Sequence, residues 1–142
     1  MKVLDLYALA EQQNIEVIEA SLPENGSLSL MDDFGNCYIG IDQSVMDGDA
    51  LELVHMGHEL GHCLTGSFYN RYSVFDLRQR HENRADKWAI LQLVTEEALD
   101  EAVADGCCEI WELSERFGVT EQFMKKAVCY YVHGNVATEL YF

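Results

Sequence analysis

The stretch DGDALELVHMGHELGHCLTG, Asp47 to Gly66, decides how the rest of this chain is read. Leu51, Val54, His55, His58 and His62 recur at three- and four-residue spacing, the period of an amphipathic helix. Asp47 and Asp49 offer a capping carboxylate and a first-turn acid, and Gly66 offers a C-terminal stop. On such a helix positions i and i+4 lie about 40° apart around the axis, so the rings of His58 and His62 can reach one metal ion. Glu59 stands about 100° from His58, near enough to take a proton from an attacking water without becoming a ligand. An H-E-x-x-H of this kind points to a zinc hydrolase. It also arises by chance on the order of once in a few hundred chains of this length. The bland alternative is a core helix with two half-buried histidines, so the case needs a third ligand.

A catalytic zinc takes three protein ligands and keeps a fourth position open. Between Arg80 and Val94, residues Glu82, Ala85, Ala89 and Leu93 fall on one helical face, which sets a carboxylate among small and apolar residues that turn inward. Glu82 is therefore the preferred third ligand. Asp86, one turn later on the same face, suits a carboxylate that accepts the remaining ring N–H of His58 or His62. His81 competes with Glu82 but points about 100° away from it, toward Arg84 and Trp88. His55 shares the stripe of the motif, yet three successive turns of one helix do not readily enclose an ion in a tetrahedron. It reads as a packed or hydrogen-bonded core histidine.

The HELGH helix, the run Glu82-Asn83-Arg84-Ala85-Asp86-Lys87-Trp88-Ala89 and the helical tail together resemble the ImmA/IrrE family of metallopeptidases, over nearly the whole chain. The resemblance implies that His58, His62 and Glu82, the last in an E-x-x-A-x-x-(F/W)-A pattern, bind Zn2+. It further implies regulated proteolysis inside the cell, with a helix-turn-helix transcriptional repressor as substrate and a phage or mobile element as a common genetic setting. The Glu82-x-x-x-Asp86 pair downstream of the HExxH is also similar to that of thermolysin-like gluzincins. Many relatives carry a proline after the second-ligand helix, where this chain reads Leu93-Val94-Thr95-Glu96. That departure bears on the local turn and not on the metal site.

The residue types fit hydrolysis of a peptide bond. Zinc would acidify the attacking water and polarise the carbonyl, while Glu59 takes the proton and passes it to the leaving amine. A further donor should stabilise the oxyanion, and Tyr69, Tyr72 and His81 all lie between the two ligand segments. Each tyrosine has packing or solvent exposure as its commoner role.

Composition bounds this reading. The chain has 142 residues and 49% hydrophobic composition, enough for one domain with a core and too apolar for a disordered chain. No apolar run is long enough to span a membrane and Met1-Lys2-Val3-Leu4-Asp5 lacks a signal-peptide pattern, so a cytoplasmic location is expected. Cys37, Cys63, Cys107, Cys108 and Cys129 are odd in number and irregularly spaced, and read as reduced, mostly core thiols, with Cys63 a packing residue off the ligand face. A net charge of −16 argues against nonspecific contact with nucleic acid or anionic membrane and favours a basic protein partner. Arg71, Arg78, Arg80, Arg84 and Lys87 form a local basic cluster, whose commoner role is an ordinary solvated face and whose alternatives are to offset the acids around the site or to guide a substrate.

The expected fold class is α+β and zincin-like, with a small antiparallel sheet packed on the HExxH helix and a mostly helical C-terminal half. A single domain 1–142 divides into an N-terminal helix and sheet (1–45), the metal-site helices (46–95) and a helical tail (96–142). A helix is expected at Val3–Gln13, strands at Ile15–Ile18, Ser27–Leu30 and Cys37–Ile41, and a turn at Asp33–Asn36. Residues 65–79 form the longest expected loop. A free sheet edge would hold an extended substrate by strand addition.

The tail carries the rival reading, because Ile110 to Thr120 followed by Phe123, Ala127 and Val128 reads helix, glycine turn, helix. As a DNA-binding helix-turn-helix it would present Glu121, Gln122, Lys125 and Lys126 to the groove. Glu109, Glu112, Glu115 and Glu121 surround the two lysines, which favours a packing hairpin with Trp111, Leu113, Phe117, Val119, Phe123 and Val128 in core or partner contacts. A third possibility is a non-catalytic, zinc-stabilised interaction protein.

Overall fold

The computed structural model describes residues 1–69 and 75–142, with side chains from residue 77 onward in the second span. Its chain order is α1 (Val3–Gln12), β1 (Glu16–Glu19), β2 (Ser27–Met31), β3 (Cys37–Ile41), α2 (Asp49–Thr65), α3 (Phe75–Leu93), α4 (Glu96–Ala104), α5 (Ile110–Phe117) and α6 (Glu121–His133). Short 3-10 turns follow β3 and α6, at Gln43–Val45 and Thr138–Leu140. The expected α+β class holds: a three-stranded sheet and α1 lie against α2, with the remaining helices beyond it. One hydrophobic cluster runs from Leu6 of α1 through Ile39 and Ile41 of β3, Met56 and Leu60 of α2 and Ile90 of α3 to Met124 and Ala127 of α6. Burying a side chain such as Met56, Leu60 or Ile39 completely is worth roughly 1.5–3 kcal/mol each. Among the described residues no helix is long and apolar enough to cross a membrane.

The sheet departs from the expected all-antiparallel arrangement. Its order is β1-β3-β2, with β2 antiparallel to β3 but β1 parallel to it, in the register Glu16↔Tyr38 to Glu19↔Ile41. The cause is connectivity. Asp32 organises a tight turn, its Oδ1 accepting from the backbone of Phe34 and Asn36 at 2.9 Å, so β2 and β3 pair as a hairpin. β1 is left the far edge of β3, and β2 with its flanking loops acts as the crossover that parallel pairing requires.

α2 begins at Gly48 without the expected aspartate cap, its acids Asp49 and Glu52 instead lying in the first turn, where they favour the positive end of the helix dipole. It ends as expected at Gly66, whose φ of 67° lets its N–H return to the His62 carbonyl. α3 starts earlier than the Arg80 boundary that periodicity indicated, at Phe75; residues 70–74 of the expected loop lie outside the described residues. Between α3 and α4 the Thr95 hydroxyl caps the next helix by accepting from Ala98 N at 3.2 Å, so the turn forms without a proline. In the tail, Thr120 caps α6 through Phe123 N, and Leu113, Val119 and Phe123 are buried as expected, whereas Trp111 is 53% exposed.

Gly61, inside the HELGH motif, sets the spacing of α2 and α3. A Cβ placed there would meet the backbone of Ala85 at 2.5 Å from its oxygen and 2.9 Å from its Cα. No rotamer can relieve a clash with backbone, so Gly61→Ala should push the helices apart and destabilise the protein by roughly 1–3 kcal/mol. Urea denaturation checks this; an unchanged midpoint would contradict the close approach.

The cysteines correct the expectation of reduced thiols. Cys37, opening β3, and Cys63, in the last turns of α2, form a disulfide, while Cys107, Cys108 and Cys129 are free. Cys63 does point off the ligand face, but toward the sheet, where β3 brings Cys37 against it. Their separation of 26 residues across two elements hides that pairing from sequence spacing.

Candidate metal centre

α2 presents His58 and His62 one turn apart, and their Nε2 atoms come within 3.2 Å of each other. α3 crosses at Gly61 and delivers Glu82, with Oε2 2.8 Å from His58 Nε2 and Oε1 3.3 Å from His62 Nε2. Among the described residues His58, His62 and Glu82 form the group able to hold a metal, their donor atoms all within 4.8 Å of one another. His81 and His55 are not part of it. The outer nitrogens are committed elsewhere: His58 Nδ1 lies 2.8 Å from Asp86 Oδ1, and His62 Nδ1 is held by the Ser67 carbonyl. Both acceptors demand N–H at Nδ1, which leaves each Nε2 lone pair facing the other and the glutamate. Two lone pairs and a carboxylate directed at one point are the donor set that a zinc-sized cation neutralises, so the residues fit the metal.

The electrostatics agree. Burial works against a charge on His58, but hydrogen bonds to Asp86 and Glu82, with the charges of Asp86 and Glu59, raise its pKa from 6.5 to about 10. Burial likewise opposes the Glu82 carboxylate, and hydrogen bonds from His58, His62 and Tyr69 overcome it, holding the carboxyl well below its usual range. Asp86 is lowered too, against its burial, by His58 and Lys126. In metal-free protein a proton on His58 takes the part of the cation. Its contribution to stability is complete below pH 6.5 and is lost as pH rises through about 10, whereas that of Glu82 is present above 4.5 and is lost as pH falls. Chelator-treated protein should therefore melt highest between pH 4.5 and 6.5 and progressively lower toward pH 10. A flat melting temperature across pH 6–10 in thermal scans would refute the coupling.

Glu59 is 4% exposed and is gripped by β2. Ser27 Oγ donates to its Oε2 at 2.7 Å and Ser29 Oγ to its Oε1 at 2.9 Å. Ser27 has one proton, which the carboxylate takes, so His55 Nδ1, at 2.6 Å, donates to the Ser27 oxygen. His55 is thus the hydrogen-bonded residue that the sequence indicated, and its partner is the support of Glu59. Burial, partly offset by Glu59, lowers the His55 pKa and keeps the ring neutral.

All of these groups line one cleft of about 780 Å³, closed on the other side by Thr120, Gln122, Phe123 and Lys126 from the start of α6. Tyr69 stands at its mouth, 41% exposed, with its hydroxyl donating to Glu82 Oε1 at 2.7 Å. That hydrogen bond, with some burial, pushes its pKa up to about 12, so it remains a donor. His81 stacks on the Tyr69 ring, centroids 6.3 Å apart, and Tyr72 lies outside the described residues. Of the basic cluster, Arg78 sits over the Tyr69 ring at 5.9 Å, and Arg71 lies outside the described residues.

Sequence reasoning missed Ser27, Ser29, Ser67 and Lys126. The one available signal was the Ser-Leu-Ser-Leu alternation of β2, whose polar face had to meet something polar. The Ser67 carbonyl and the Asp86–Lys126 contact carry no local signature at all.

The family model of the Peptidase_M78 IrrE N-terminal-like domain matches residues 10–128. No curated protein matches the chain.

Proposed function

Because the chain belongs to the IrrE N-terminal-like family of peptidases, we propose that it is a zinc-dependent endopeptidase that cuts a specific regulatory protein. The observation that carries this reading is the convergence of His58 Nε2, His62 Nε2 and the Glu82 carboxylate within 4.8 Å, each imidazole locked from behind. Zinc bound by these three residues would supply a Lewis acid that polarises the scissile carbonyl and acidifies the attacking water.

This chain's own residues do the rest. Glu59 receives the proton of the water and returns it to the leaving amine, and Ser27 and Ser29 keep its carboxylate from rotating away. Tyr69, a protonated donor beside Glu82, supplies the hydrogen bond to the developing oxyanion. Among the described residues β2 is an edge strand whose residues Ser27 to Ser29 line the cleft, so its outer side can pair with an extended substrate.

The substrate proposed is a helix-turn-helix repressor, in keeping with the family resemblance and with a net charge of −16, which favours a basic partner over nucleic acid. The site of action proposed is the cytoplasm. The DNA-binding alternative loses one of its two lysines, since Lys126 is bonded to Asp86 and its neighbour Gln122 lines the cleft. Purified protein loaded with zinc should convert a co-expressed repressor into two discrete fragments, and a chelator should stop it. An intact repressor after prolonged incubation, with zinc bound, would turn the reading toward a zinc-stabilised interaction protein.

A further inference from the structure

α6 reaches across the cleft with one side chain. Lys126 Nζ lies 3.0 Å from Asp86 Oδ2, while the other oxygen of that carboxylate is 2.8 Å from His58 Nδ1. Asp86 is 7% exposed, so its two oxygens are held from opposite sides in a largely buried setting. The terminal torsion of an aspartate is soft and broad, and a single partner would leave the carboxylate free to turn out of the plane that His58 needs. Lys126 removes that freedom. We propose that Lys126 is a positioning residue of the metal centre, acting through Asp86 and His58, and that it makes the docking of α6 and the loading of the metal one coupled event.

The inference rests on the reading of His58, His62 and Glu82 as metal ligands. Two effects of the lysine compete, and their signs differ. As a bare positive charge near a cation it repels the metal, so that deleting it should tighten binding. As the clamp on Asp86 it orients a ligand, so that deleting it should loosen binding. The buried geometry of Asp86, with one hydrogen bond on each oxygen, favours the second. The coupling is reciprocal: whatever α6 contributes to metal affinity, the metal returns to the docking of α6. Residues 121–133 then form a region through which a partner seated on the hairpin can alter the metal site.

The test is zinc affinity by chelator competition, with hydrogen exchange as a second readout. Lys126→Met should bind zinc roughly 10-fold more weakly, in the range found for groups that support metal ligands, and Lys126→Arg should restore most of the loss. In the wild-type protein, adding zinc should slow amide exchange across α6. Equal or tighter zinc binding by a folded Lys126→Met would overturn the proposal. So would unchanged exchange in α6 of the wild type, a measurement that needs no variant to fold. Failure of the wild type to bind zinc would remove the metal centre itself, and it is recognised before any variant is made.

Discussion

Glu59→Gln should keep its zinc and lose cleavage, by roughly 100- to 10,000-fold. The substitution preserves shape and size: the amide oxygen can still accept from one of the two serines, and the amide NH2 can donate to the hydroxyl oxygen of the other once that hydroxyl turns, so α2 and the proposed ligands on it stay in place. What disappears is the ability to take a proton from water and return it to the amine. Because Glu59 is buried and clamped rather than free in the cleft, no neighbouring carboxylate among the described residues can substitute for it without moving. Glu82 and Asp86 are both committed to the histidines. The comparison to make is metal content and repressor cleavage, side by side, for wild type and variant. Wild-type cleavage by Glu59→Gln would sink the assigned base; loss of zinc along with activity would make Glu59 structural.

Glu82→Ala should release the metal. Groups that merely support ligands change affinity 10- to 100-fold, so deleting one of the three proposed ligands should cost more than about 100-fold. His58→Ala serves as the reference for a lost ligand. The same variant also frees the Tyr69 hydroxyl and leaves His58 with Asp86 as its carboxylate partner, so metal-free Glu82→Ala should show a smaller rise of the His58 pKa than the wild type. Metal analysis of the three proteins after reconstitution decides the matter. Zinc retained by Glu82→Ala would move the third ligand elsewhere, His81 being the other candidate in that segment.

Much of the site was legible because helices make it so. The relation of His58 to His62, and of Glu82 to Asp86, is internal to a single helix, where 3.6 residues per turn settles which side chains share a face. The small residues Ala85 and Ala89 on the face of Glu82 announced close packing, and the structure places Ala85 against Gly61. The helix, glycine turn and helix of the tail were equally local, resting on the Thr120 cap and the left-handed Gly118.

The strands were less legible. Their positions could be found within a residue or so, yet alternation in Ser27-Leu28-Ser29-Leu30 cannot say which face turns inward. Burying leucines is the default, and here the fold does the opposite: the serines meet Glu59 while Leu30 is 60% exposed. In a strand a shift of one residue exchanges the faces, and only the partner across the interface chooses between them.

The sequence by itself determined the α+β class, the helix bearing His58, Glu59 and His62, and the face carrying Glu82 and Asp86, since covalent geometry within one segment sets those relations. Only the tertiary structure decided the parallel entry of β1, the Cys37–Cys63 bond, the serine clamp on Glu59 and the reach of Lys126 to Asp86. Each of these joins segments far apart in the chain, where packing of whole elements, rather than any local period, sets which atoms meet.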